Sequence, residues 1–392
     1  MANPWIDEHA ALLAARAERD LEALVAVSSP SGDVTGAEEA VAVASALAAD
    51  VAEPERPACS SAGHAPDLEL RVRGAGERRI LLVGHLDTVF SHEAHVAPKR
   101  MGRRVLGSGT IDMKGGVALS LGLLRAIAGR PELAEATLLL VNDEEWRVGS
   151  FSHGARFAGY DACLCFEAGE RDPEGNDAVI VRRKAAGTIR VSAQGRSSHS
   201  GSAPDKGVNA LLALAEVART GAAAHDPNGP DRLTVVPTIL RSGDALNVVP
   251  ASGELVFDVR ADRLGALRGV LDLIPERVGE ATLGAAMQRE WPGMDSRQSA
   301  APILAAAAAR LGRPLMPAQR GGASDASHFA AAGIAVTIDG LGPSGGRAHS
   351  PDEFVDLDSL RPRAEVALAV ADAVLGGDDV TIWQEIATLS RK

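Results

Sequence analysis

Apolar residues recur at helical spacing through residues 7–27 and 36–50, two alanine- and leucine-rich stretches separated by the breaker run Ser-Ser-Pro-Ser-Gly-Asp at 28–33. They predict two N-terminal helices. Short aliphatic runs follow at 68–72, 79–84, 136–141, 162–166 and 334–338, each of strand rather than helix length. Helical patterns lie between several of them. The clearest opens near Gly115, through the turn Asp-Met-Lys-Gly-Gly at 112–116, and runs to a stop at Gly129 and Pro131. Strands alternating with helices predict an α/β sheet.

Near Ala178 the pattern changes to strand, helix, strand, strand, helix, strand, at 179–193, 208–219, 233–240, 253–260, 263–278 and 281–289. Two βαβ-like halves of this size predict a small α+β, ferredoxin-like domain inserted into a larger one. The α/β pattern resumes at Ala301, where the alanine run at 305 is ordinary helix composition. The expected domains are therefore 1–177 with 296–392, interrupted by 178–295. No repeat of fixed period is visible.

Composition narrows the class. At 392 residues the chain has room for two hydrophobic cores. Forty basic residues against 52 acidic ones give a net charge of -12, which argues against general affinity for nucleic acid or for an anionic membrane surface. No apolar run approaches the roughly 20 residues that a membrane helix needs. The N-terminus has neither a basic start nor an apolar stretch, so no secretory signal is visible and the cytoplasm is the default location. Cys59, Cys163 and Cys165 are too few and too poorly spaced for a disulfide framework or a zinc knuckle.

Chemistry enters where apolar strands end. Residues 81–84 lead into His85 and Asp87, 138–142 into Asp143, Glu144 and Glu145, and 163–166 into Glu167. In open α/β sheets the carboxyl ends of strands line the ligand crevice, so these side chains can converge there. One acidic residue ending a strand is more often a solvated turn or cap; several together are another matter. His85 and Asp87 share one face of an extended segment, so one can bind a metal while the other orients it. Adjacent carboxylates at 144 and 145 suit one metal ligand and one free base. Imidazole and carboxylate donors without thiolate fit a hydrolytic zinc, cobalt or manganese site.

The motifs that carry these residues follow one another along nearly the whole chain: Gly-His-Leu-Asp-Thr-Val at 84–89, Gly-Ser-Gly-Thr-Ile-Asp-Met-Lys-Gly-Gly at 107–116, Asp-Glu-Glu at 143–145, Phe-Glu at 166–167, Ser-His-Ser-Gly-Ser-Ala-Pro at 198–204, Asn-Val-Val-Pro at 247–250 and Ala-His-Ser-Pro-Asp-Glu at 348–353. In this the chain resembles the co-catalytic dizinc family of glutamate carboxypeptidase, aminoacylase, acetylornithine deacetylase and succinyl-diaminopimelate desuccinylase. The resemblance implies a zinc-aminopeptidase-like three-layer catalytic domain, with the inserted domain serving as a lid and as the contact of a homodimer. It implies two divalent ions, zinc or else cobalt or manganese. Asp112 would bridge them, His85 and Glu167 would complete one site, and Glu145 and His349 the other. Asp87 would orient His85, and Glu144 would be the general base. A cis peptide at Asp112–Met113 belongs to the same pattern.

From the inserted domain, the resemblance implies His199 as a donor to the substrate carbonyl, commonly from the partner subunit, with Asn247 beside it. Arg260 would clamp a substrate carboxylate, and the glycine-rich segment 321–325, with Gly322, would lie near it. The implied substrate is a small peptide or an N-acyl amino acid, cut at its amide bond. The metal motifs are worded most like glutamate carboxypeptidase. The lysine that enzyme uses for recognition falls, by spacing, near Ile180, with Arg182, Arg183 and Lys184 just beyond. An aminoacylase is the neighbouring reading.

Two readings of other classes compete. Residues 342–346 match Gly-x-Ser-x-Gly around Ser344, with His349 close by, but a nucleophile elbow needs a helix directly after its serine and here glycines and a proline follow. A non-catalytic binding protein on the same fold would be expected to lack part of the ligand set. His92 and His95 lie in a polar loop without the His-Glu-x-x-His pattern, and His9, His64, His153, His225 and His328 fall outside the motifs.

Overall fold

Proline at position 4 opens the first helix, α1 (Pro4–Val25), where its missing N–H costs nothing, and the Asn3 side chain caps it by accepting from the Trp5 N–H. Asp33 caps α2 (Val34–Ala48) in the same way through Gly36. The chain then forms β1 (Pro54–Glu55), β2 (Leu68–Arg73), β3 (Arg78–His85), α3 (Gly115–Ile127), β4 (Leu133–Val141), β5 (Ala162–Cys165) and β6 (Asp177–Arg183). This computed structural model describes residues 3–376 and Trp383. It divides into two units, one of Met1–Arg182, Asp295–Gln319 and Ser324–Lys392, the other of Arg183–Met294 and Arg320–Ala323.

The second unit holds β7 (Ala185–Gln194), α4 (Ala210–Ala222), β8 (Thr234–Ser242), β9 (Ser252–Ala261), α5 (Leu264–Asp272), β10 (Arg277–Val278) and β11 (Ala281–Trp291). Its strands pair antiparallel in the order β8-β9-β7-β11-β10. Alternation along β7 buries Ile189, Val191 and Ala193 with Leu214 of α4 and Leu267 of α5, and leaves Arg190 and Ser192 exposed. Strand β8 is an edge, and Val236, Ile239 and Leu240 on it are exposed.

Two elements and the domain boundaries differ from the sequence reading. The strand expected at 179–193 is two strands in separate sheets, broken at Lys184. The reason is legible afterwards: Val179, Ile180 and Val181 are all buried in a continuous apolar run, whereas alternation begins only at Ala185. Residues 178–182 accordingly lie in the first unit, and 320–323 in the second, against the boundaries 178 and 295 expected from sequence. The helix expected at 263–278 stops at Asp272, three residues before Pro275.

The first unit is completed by α6 (Arg297–Leu311), α7 (Ala326–Ala331), β12 (Val336–Ile338) and α8 (Leu360–Leu375). Its main sheet has the order β1-β2-β4-β3-β5-β12, with β3 parallel to β4 and β5, and β5 parallel to β12. Ile80, Leu82, Leu138, Leu140 and Leu164 face a core shared with α1, α3 and α8. The opposite face is covered by α7 and by the turn at Phe157, whose ring lies edge-on to Phe329 at 5.8 Å. That makes three layers. Register pairs His85 with Val141 and Val83 with Cys165, so the parallel strands β3, β4 and β5 all end on the same edge of the sheet. No helix among the described residues is long and apolar enough to cross a membrane.

Candidate active site

His85 is the last residue of β3 and is buried. Its Nδ1 lies 3.0 Å from the Asp87 carbonyl and 3.3 Å from the Asp87 carboxylate, and its Nε2 lies 3.1 Å from Oδ1 of Asp112. Asp87 also accepts the backbone N–H groups of Glu144 at 3.2 Å and Glu145 at 3.1 Å, just past the end of β4. One carboxylate thus ties two strand ends together.

Asp112 sits in the irregular turn that leads into α3, with a cis Asp112–Met113 peptide. Its other oxygen lies 3.1 Å from Nε2 of His349, which is itself 3.3 Å from Oε2 of Glu145. Ligand atoms of His85, Asp112 and Glu145 all lie within 4.8 Å of one another, the spacing of groups converging on a divalent ion. The donors are imidazole and carboxylate only. They fit zinc, cobalt or manganese better than a thiolate-seeking metal.

Electrostatics follow from crowding these groups together. Burial alone would lower the His85 imidazolium, but hydrogen bonds to Asp112 and Asp87 hold its pKa well above the ordinary value. His349 is raised to about 10 by its bonds to Asp112 and Glu145. Burial works against ionising Asp112, yet the two histidines hold its carboxyl well below the usual range. Burial pushes Glu144 up to about 8, with Asp325, Glu145 and Asp112 adding to it and His85 opposing. Glu167, one residue past Phe166, is raised well above normal by burial and then by Asp112. Five acids and bases with pKa values driven apart by one another mark a functional centre.

Sequence reasoning missed the frame around these residues. Arg147, 2% exposed in its side chain, donates to Asp143 at 2.8 Å and to Asp325 at 2.5 Å and 3.0 Å, fixing the Glu144–Glu145 segment from below. Asp143 also accepts from Ser61 at 2.7 Å. The i,i+4 spacing of Asp143 and Arg147 was the one available signal. Buried Lys114 donates to the Val27 carbonyl at 2.7 Å, and burial lowers its pKa to about 7. The end of the glycine-rich segment belongs to this frame through Asp325, a partner of Arg147, and its neighbour Ser324 bonds Asp339 at 2.6 Å.

The remaining candidates lie in the second unit. His199 is exposed, its Nδ1 accepting the N–H groups of Gly201 and Ser202 at 3.1 Å, and Asn247 accepts from Ser200 through its carbonyl at 3.0 Å. Arg260 makes two bonds to Asp258, at 3.0 Å and 3.1 Å, and one to the Gly321 carbonyl at 3.0 Å. The Gly322 carbonyl accepts from Arg183 at 2.9 Å. Ser344 is followed by the short strand Gly345–Gly346 rather than a helix, and the Nε2 of His349 faces carboxylates. That geometry is not a nucleophile elbow.

A histidine-carboxylate cluster, with His85 buried and His349 about half exposed, stands at the carboxyl edge of a mixed α/β sheet and suits a metal-dependent hydrolase, and comparison places the chain in a family. Residues 81–373 match peptidase family M20/M25/M40, and the chain belongs to that family. It is therefore a metal-dependent hydrolase acting on amide bonds. Carboxypeptidase G2 from Pseudomonas sp. (strain RS-16) is 30% identical over 318 residues, covering 76% of this chain and 74% of its own. Acetylornithine deacetylase from Proteus mirabilis is 28% identical over 327 residues, covering 76% and 80%. Among solved structures, a tripeptidase from Staphylococcus aureus superposes with a TM-score of 0.74 over 93% of this chain and 99% of its own, at 18% identity. Aminopeptidase PepT from Bacillus cereus gives 0.73 over 92% and 98%, at 19% identity.

Proposed function

We propose that this chain hydrolyses the amide bond of a small peptide or N-acyl amino acid with a free carboxylate, using two divalent ions. His85, Asp112 and Glu167 would hold one ion and Asp112, Glu145 and His349 the other, zinc being the first choice and cobalt or manganese the alternatives. The carrying observation is the convergence of His85, Asp112, Glu145 and His349 on one another, beside Glu144 in the next position of the chain to Glu145. Ions bound there would polarise the scissile carbonyl and lower the pKa of a bound water. Glu144 takes the proton of the attacking water on its carboxylate and passes it to the departing amine nitrogen. Asp87 keeps the His85 ring oriented and the Glu144–Glu145 backbone in place. His199 donates to the substrate carbonyl oxygen with Asn247 alongside, and Arg260, bonded to the Gly321 carbonyl, meets the substrate carboxylate near Gly322. The chain works as a homodimer through the second unit, whose edge strand β8 exposes Val236, Ile239 and Leu240.

Carboxypeptidase and aminoacylase readings share every one of these residues and differ in substrate. A screen of dipeptides and N-acyl amino acids, with zinc, cobalt or manganese supplied, separates them by which class is turned over. Glu144→Gln tests the mechanism: turnover is expected to fall by about 10²–10⁴-fold with metal content unchanged. Retained turnover removes Glu144 as the base. Activity that survives a chelator but not Ser344→Ala would favour the serine alternative.

A further inference from the structure

The segments that carry Asp112 and His349 are far apart in sequence, and one side chain outside the mechanism above grips both. Glu353 is 1% exposed. Its Oε2 accepts the Gly109 N–H at 2.8 Å, and its Oε1 accepts those of Ile111 at 2.8 Å and Asp112 at 3.0 Å. Its backbone joins in: the Glu353 carbonyl accepts from Gly107 at 3.1 Å, and its N–H donates to Ser350 at 3.0 Å. Four and six residues earlier, His349 is held at φ 61 and Arg347 at φ 60, left-handed conformations that a non-glycine residue keeps only when its surroundings impose them. A carboxylate receiving three N–H groups is a stiff joint. It fixes the turn bearing Asp112 against the loop that presents His349 Nε2 at 3.1 Å from Asp112 and 3.3 Å from Glu145.

We propose that Glu353 is a positioning residue that clamps the His349 loop to the Asp112 turn and so sets the geometry of the metal position formed by Asp112, Glu145 and His349. It touches no substrate. The inference rests on the ligand assignment proposed above. The test is titration of metal-free protein with cobalt, followed by calorimetry and visible absorption, on wild type, Glu353→Gln and Glu353→Asp. Glutamine keeps the shape but turns an NH2 toward a backbone N–H, and aspartate keeps the charge on a shorter stem. Wild type is expected to bind two cobalt ions. Glu353→Gln is expected to bind one as wild type does and the other about 10–100-fold more weakly, with an altered cobalt spectrum. With both positions saturated, kcat should fall at least about tenfold while KM stays within about twofold, and Glu353→Asp should recover part of the loss. A Glu353→Gln protein that takes up both ions with wild-type affinity and spectrum overturns the proposal, even if its Tm has dropped. If Glu353→Gln does not fold, Glu353→Asp is read by the same two criteria. Wild type binding fewer than two ions overturns the ligand assignment itself, and the role of Glu353 with it.

Discussion

Both oxygens of Asp87 accept backbone N–H groups from the segment carrying Glu144 and Glu145, and one of them also faces the His85 ring. Asp87→Ala should therefore loosen two strand ends at once and weaken metal binding by about 10–100-fold, which competition with a chelating dye measures. Arg147 is a different case, because its work is to neutralise. Replacing it with methionine leaves Asp143 and Asp325 buried without their cation, and urea unfolding should show a loss of about 3–5 kcal/mol. At this scale the sequence was most readable where chemistry restricts residue type. His85, Asp112, Glu145 and His349 stood in recognisable motifs. Arg147 and Glu353 did not disclose their roles, because their partners are a distant carboxylate and a row of backbone N–H groups that only the fold brings near.

Helix α3 shows how an element can be legible and its placement not. Its bounds, Gly115 to Ile127, follow from apolar spacing and the stop at Gly129. What the pattern did not convey is why it opens with two glycines. A Cβ on Gly116 would stand 1.8 Å from the Phe166 carbonyl oxygen, so the helix start is pressed against the backbone that leads into Glu167. Gly116→Ala should cost at least about 1–3 kcal/mol in thermal or urea unfolding, and should lower activity more than its stability loss explains, since relief of the clash moves Phe166 and Glu167. The misjudged strand at 179–193 has a related cause. A run of branched residues reads the same whether one strand continues or two strands of different sheets meet end to end; only the change from two-sided burial to alternation at Ala185 separates them.

For the whole molecule, the cluster of Asp112, Glu144, Glu145 and Glu167 gathers acidic groups that bound cations would offset. Metal removal by a chelator should abolish turnover and lower Tm, with recovery of both on adding metal back; an ion held at 100 times its Kd adds about 2.7 kcal/mol to folding. Dimerisation is tested on the edge strand of the second unit. If the proposed homodimer forms through this strand, the wild type sediments as a dimer and Ile239→Lys should sediment as a monomer; a wild-type monomer removes the dimer, and an unchanged dimer in the variant places the contact elsewhere.

Helix α8 has one more consequence. Val366 to Leu375 are almost wholly buried, and α8 packs on α1, α3 and α6, so the last described helix of the first unit completes a core that its first helix begins. The second unit, by contrast, draws on one continuous stretch and four later residues. During synthesis the middle of the chain is then ready before either flank, and the first unit has to wait for its own far end. A nascent chain halted near residue 300 should resist protease across 183–294 while residues 4–180 remain cleavable. Because His349 also emerges in that final stretch, the proposed ligand set is complete only as the core closes, and a chain cut short before it would have neither.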